Sequence, residues 1–118
     1  MQSSNNETKV FAQIETVSGV KNIKDILSAE GVNGCFIGPN DLSCDYGCIG
    51  EESSNKILST IEDVANVCKM LNKSSGIITH NSSYIKKAKE SQLQFFCVGS
   101  ELSILKSAGK DIINYILD

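Results

Sequence analysis

An α/β fold made of four consecutive strand–helix units is predicted by three features of this 118-residue chain. Short apolar runs rich in β-formers alternate with longer segments of helical spacing. The intervals between runs are long enough for the helical crossovers that parallel strands need and that a hairpin cannot supply. The composition, 41% hydrophobic and 21% charged, is that of a globular domain rather than a disordered or membrane chain. One core is expected, burying roughly two-thirds of the unfolded surface, so neither a disulfide nor a structural metal is needed to hold it.

In chain order, residues 1–8 are polar and expected to be a disordered tail, and the folded domain is read as 9–118. The first strand is placed at 9–15 (KVFAQIE), and Val20, Ile23 and Leu27 then recur at three and four residues as one helical stripe. A second strand, 34–38 (GCFIG), leads into a helical turn that begins around Asp41. Leu58, Ile61, Ala65, Cys68 and Leu71 trace a long amphipathic helix, followed by a strand at 76–79 (GIIT). A short helix at 83–91 turns Ile85 and Ala88 inward and lysines outward, and the last strand is 95–99 (FFCVG). The final helix, from about 101, carries Leu105, Ala108, Ile112 and Ile116, with Gly109 as a candidate break. Two architectures satisfy this pattern. Length favours a small doubly wound sheet complete in itself, whereas polar residues at the C-terminal ends of strands favour part of a (β/α)8 barrel, whose full length is about 250 residues.

A net charge of −3 without any basic cluster interleaved with aromatics argues against nucleic acid as a partner. No run approaches the roughly 18 apolar residues of a membrane span, and MQSSNNETKV lacks the apolar stretch of a secretory signal, so a cytoplasmic protein without a membrane partner is expected. Five cysteines with no CxxC pair suit reduced thiols. Cys35, Cys68 and Cys97 fall in apolar runs and read as small core residues; Cys44 and Cys48 read as solvated or half-buried loop thiols.

Chemistry concentrates at two strand ends. Strand alternation puts Gln13 and Glu15 on one face and Ile14 on the other. A carboxylate on an interior face is costly without a cation or donors; the alternatives are that Glu15 is solvated or caps the next helix. Asp41, taken alone, is an N-cap candidate. Two neighbouring parallel strands that each end in a carboxylate, however, bring Glu15 and Asp41 to one sheet edge, in reach of one small cation such as Mg²⁺ or Mn²⁺. Gly38 lets a ligand approach the backbone, and the turn aims the N–H groups of residues 40 and 41 outward, towards an anion. Gly38 and Pro39 are equally ordinary punctuation between a strand and a helix.

The stretches QIET, FIGPNDLS and FFCVGSEL together resemble the metal-dependent pyruvate aldolases of the HpcH/HpaI type, over about residues 11–118. The resemblance implies that the chain is the C-terminal half of a (β/α)8 barrel. It implies that Glu15 and Asp41 hold a divalent ion (Mg²⁺ or Mn²⁺, with Co²⁺ a further candidate), that Gln13 lies beside the bound 2-oxo acid, and that Gly38, Pro39, Asn40 and Asp41 receive its carboxylate. The implied activity is an aldehyde lyase that cleaves or forms a C–C bond in 4-hydroxy-2-oxo acids, with pyruvate and an aldehyde as partners and the ion stabilising the pyruvate enolate. No Schiff base is required, in keeping with the absence of lysine from strand interiors. The family's histidine base and substrate-gripping arginine belong to the first four βα units, so no catalytic residue is expected in this half and the chain is read as an incomplete catalyst. His80 is read as a polar or capping residue. Open edges at 9–15 and 95–99 predict a homo-oligomer or pairing with an N-terminal half-barrel, and the resemblance implies residues 101–118 as a candidate oligomer contact. The rival reading is a small non-catalytic doubly wound binding or interaction module.

Overall fold

The computed structural model describes residues 7–49 and 54–117, so most of the polar tail and the last residue lie outside the described residues. Four parallel strands, β1 (Val10–Ile14), β2 (Val32–Ile37), β3 (Ser74–Ile78) and β4 (Phe95–Cys97), lie side by side in the order of the chain. That unreversed order removes the doubly wound alternative, which needs a point where strand order turns back. Repeated right-handed crossovers in one direction instead stack the helices on a single face of the sheet, as in a barrel wall.

The register shows why this face is sealed. Ile14 pairs with Ile37, Ile37 with Ile77 and Ile77 with Phe96, one apolar row running across all four strands. Ile14, Ile37 and Ile77 are at most 1% exposed. Over this row pack α1 (Val17–Lys21), α2 (Ile23–Ser28), α3 (Pro39–Asp45), α4 (Asn55–Met70) and α5 (Ser82–Glu90). Helix α4 buries Ile57, Ile61, Val64, Ala65 and Cys68 at the spacing its sequence predicts. Cys35 of β2 and Cys68 of α4 meet in this layer with sulfurs 3.3 Å apart; the hydrogen bond to Cys68 and burial push the Cys35 thiol well above its usual range, so it stays protonated.

The other face carries the complementary row Gln13, Phe36, Gly76 and Phe95, with Phe11 beside Gly34. Here two glycines are steric necessities. A Cβ on Gly34 would stand 2.1 Å from the Ser74 carbonyl oxygen, and one on Gly76 would stand 2.1 Å from the Phe95 ring. The space they leave lets Phe95 lie parallel to Phe36 (centroids 5.4 Å) and meet the edge of Phe11 (4.9 Å).

Four expectations are corrected. The helix through Val20, Ile23 and Leu27 is two helices, because Asn22 leaves helical geometry (φ −99°) between them. Gly109 does not break the last helix: α6 runs unbroken from Glu101 to Leu117, and none of its side chains is buried. Cys97 is exposed rather than core, since alternation along β4 puts it with Phe95 on the uncovered face. Cys48, expected to be solvated or half-buried, is buried, while Cys44 lies exposed on α3. No helix among the described residues is long and apolar enough to cross a membrane.

Candidate functional site

At the C-terminal end of the sheet, β1 hands over to α1 through Glu15 and Thr16. Thr16 is the N-cap, its hydroxyl oxygen accepting the Gly19 N–H at 3.0 Å. Glu15 is therefore no cap; it is half-buried, and Gln13 Nε2 donates to its Oε2 at 2.7 Å. Both side chains lie over Gly38 at the end of β2: a Cβ there would meet Gln13 Nε2 at 3.1 Å and the Glu15 Cβ at 3.3 Å. The sheet edge is closed beneath them by the Gly38 N–H, which donates to the Ile14 carbonyl at 3.0 Å.

Gly38 is the N-cap of α3 and Pro39 its first residue, which places Asp41 inside the first turn rather than at the cap. Proline has no N–H, and the Leu42 N–H closes the first helical bond on the Gly38 carbonyl, so the N–H groups of Asn40 and Asp41 are the ones this turn presents outward. Among the described residues the Asp41 carboxylate has neither an ion-pair nor a hydrogen-bond partner. Asp45, one turn on, is engaged: its Oδ2 accepts the Val17 N–H at 2.6 Å, joining α3 to the start of α1.

Glu15 and Asp41 line one shallow depression together with Thr16, Cys44 and Asp45. Asp41 also borders a second cavity of about 330 Å³, into which Gln13, Gly38, Pro39 and Asn40 face. All six residues singled out in the sequence therefore stand on one connected patch at the strand ends. The far wall of this second cavity comes from His80, read from the sequence only as a polar or capping residue, and from residues the sequence reading passed over: Thr79 after β3, and Gly99, Ser100 and Ser103 after β4. Their only advance signal was position, immediately beyond a strand end. His80 is not a cap; that role belongs to Asn81, whose Oδ1 accepts the N–H groups of Ser83 and Tyr84.

Two carboxylates are a hard, oxygen-only donor pair, suited to Mg²⁺ or Mn²⁺ with further positions left for water or ligand oxygens. The unpartnered Asp41 carboxylate beside Glu15 fits such an ion. No group of three or more His, Cys, Asp or Glu able to enclose a metal is found among the described residues.

Comparison with known proteins bears on the family and the fold. A profile of the HpcH/HpaI aldolase/citrate lyase family matches residues 1–106. The chain is 34% identical over 110 residues to the 4-hydroxy-2-oxo-heptane-1,7-dioate aldolase of Shigella sonnei, covering 93% of this chain and 42% of that enzyme. It is 28% identical over 111 residues to the hydroxypyruvate/pyruvate aldolase of Roseovarius nubinhibens, covering 94% and 43%. The crystal structure of an HpcH/HpaI aldolase from Desulfitobacterium hafniense superposes with a TM-score of 0.87 at 28% identity, over 98% of this chain and 45% of that one. The chain thus spans less than half the length of these relatives, and its four parallel strands with their helices agree with half of the barrel that its structural neighbours form.

Proposed function

We propose, from the premise that the chain belongs to the HpcH/HpaI aldolase/citrate lyase family, that it is the metal- and keto-acid-binding half of a class II aldolase. The reaction is cleavage or formation of the C–C bond of a 4-hydroxy-2-oxo acid, with pyruvate and an aldehyde as the other partners. The observation that carries this reading is the meeting of Glu15 and Asp41 in one depression, at the ends of adjacent parallel strands.

On this reading Glu15 and Asp41 hold a divalent cation, Mg²⁺ or Mn²⁺. When bound, it supplies Lewis-acid polarisation of the ketone and stabilises negative charge that develops on its oxygen. Gln13 fixes the Glu15 carboxylate through its amide and presents the rest of its side chain to the 2-oxo acid. The outward N–H groups of Asn40 and Asp41 receive the acid's carboxylate, and Gly38, free of a Cβ, lets it come close. None of these groups is placed to remove a proton from the substrate. That work is assigned to the other half of the barrel, so the chain alone binds and orients but turns over little. Cytoplasmic residence, and assembly through the exposed apolar side chains of α6 or with an N-terminal half-barrel, complete the proposal.

Mn²⁺ titration tests the site directly. Wild type should bind the ion, and Glu15→Ala and Asp41→Ala should each weaken binding by at least tenfold; equal affinity in all three proteins would end the metal assignment. Release of pyruvate from a 4-hydroxy-2-oxo acid should rise when a first half-barrel is supplied.

A further inference from the structure

Cys35 and Cys68 are 33 residues apart in the sequence yet 3.3 Å apart at sulfur, and they belong to facing layers of the fold, Cys35 to β2 and Cys68 to α4. Both are at most 1% exposed. They fill the core as small apolar residues would, and add a chemistry that such residues lack: two thiols in contact can become one disulfide. The two sulfurs are not equivalent. The hydrogen bond from the Cys35 S–H holds the Cys68 thiol below its usual range despite burial, whereas Cys35 stays protonated. Thiolate character is thus concentrated on Cys68.

Their surroundings differ as well. Cys35 lies inside the sheet, paired with Ala12 on one side and Ser75 on the other. Cys68 lies in the last turn of α4, which ends at Met70. That turn is closed by the Lys73 N–H on the Cys68 carbonyl (2.8 Å) and the Asn72 N–H on the Lys69 carbonyl (3.2 Å). It pivots on Asn72 in the left-handed region (φ 52°), where such an ending more often carries glycine. Helix ends open before cores do, so this turn is where a small solute reaches the pair without global unfolding.

We infer that Cys35 and Cys68 are a redox-sensitive pair, closed to a disulfide by hydrogen peroxide and reopened by a dithiol, which reversibly locks α4 to the sheet. The Cys68 thiolate attacks one peroxide oxygen; the O–O bond breaks, Cys68 becomes a sulfenic acid, and the departing hydroxide takes up the Cys68 proton as water. The Cys35 sulfur then attacks the Cys68 sulfur. The S–S bond forms as the S–O bond breaks, and the Cys35 proton leaves with that hydroxide as a second water. Two electrons have passed from the thiols to the peroxide. Closure brings the sulfurs from 3.3 Å to about 2.0 Å, a movement that the last turn of α4 supplies while the strand keeps its ladder.

The test uses the whole chain with Cys44→Ser and Cys97→Ser, which remove the two exposed thiols. After treatment with equimolar hydrogen peroxide and blocking with N-ethylmaleimide in urea, peptide mapping by mass spectrometry should find Cys35 joined to Cys68 and Cys48 alkylated. Dithiothreitol should return both thiols. The urea midpoint of the oxidised chain should lie above that of the reduced chain, because the bond constrains the unfolded state. Adding Cys35→Ser should arrest the reaction at a Cys68 sulfenic acid that dimedone traps, and adding Cys68→Ser should leave Cys35 unoxidised. A bond to Cys48, or Cys35 and Cys68 both still alkylated under conditions that oxidise free cysteine, overturns the pair. A dimedone adduct on Cys35 in the Cys68→Ser chain overturns the order of attack, and a bond that does not raise the urea midpoint overturns the lock. Should circular dichroism show a substituted chain unfolded, the wild type with its exposed thiols alkylated before oxidation gives the same peptide map.

Discussion

Helices α4 and α6 are close to equal in length, sixteen and seventeen residues, and both carry apolar side chains at helical spacing. Their fates are opposite. Helix α4 buries six residues against β2, β3 and its neighbouring helices, while α6, the more apolar of the two on average, buries none. Leu105, Ile112 and Ile116, its predicted inner stripe, are 60–73% exposed. Periodicity therefore states that a helix has a face to bury. Whether it does so depends on a facing surface, which β2 and β3 give α4 and which nothing among the described residues gives α6.

The sharpest way to break this comparison is truncation. Ile61→Ala in α4 should cost about 2–5 kcal/mol, as removal of fully buried methylenes does, whereas Ile112→Ala in α6 should fall within about 0.5 kcal/mol of wild type. Urea unfolding of the monomeric chain reads both. A large loss from Ile112→Ala in the monomer would mean that α6 packs against its own chain.

Two glycines sharpen the contrast through a difference of sign. Gly76→Ala drives a methyl into the Phe95 ring and should destabilise by about 1–3 kcal/mol. Gly109→Ala in α6 meets nothing within 4 Å and gains helix propensity, so it should stabilise that helix by about 0.5–1 kcal/mol, visible as increased helical ellipticity.

The smallest effect lies on the solvent side of the packed layer, where Lys87 of α5 meets Glu62 of α4 at 2.5 Å. The hydrogen bond and charge of Lys87 hold the Glu62 carboxyl below its usual range. A depressed folded pKa stabilises above the ordinary carboxylate pKa, and that contribution is lost as pH falls through the folded value. Solvent reaching the Glu62 carboxylate keeps it slight. In an NMR titration, Lys87→Met should move the Glu62 midpoint back up to the ordinary range with little change in unfolding.

Much of this architecture was legible before any coordinates. The apolar runs around Ile14, Ile37, Ile77 and Phe96 mark the four strands, because each must supply one residue to the row beneath the helices. Strand starts were less legible. Strand β3 begins at Ser74 rather than Gly76 because Gln94 Oε1 accepts from the Ser75 N–H and hydroxyl (2.7 and 3.1 Å), which makes a polar residue buriable in a way no local pattern announces. At the site, Glu15 and Asp41 stood out as acids at the ends of apolar runs. His80 did not, because a histidine after a strand gains meaning only when the fold brings it to the wall of a cavity. The separation of the two cavities at Asp41 was equally invisible, since it depends on how α3 leaves β2.

One small contact has a disproportionate reach. The bond from the Val17 N–H to Asp45 Oδ2 is a clasp between the segment that bears Glu15 and the segment that bears Asp41. It fastens the two acid-bearing segments to each other at the depression they line, where Asp45 stands beside Glu15 and Asp41. Repulsion between the Glu15 and Asp41 carboxylates is thus opposed by a bond from the start of α1 to the end of α3. Under the proposed metal binding, a cation would meet two acids whose segments are already joined, at a smaller ordering cost than if the ion had to gather them.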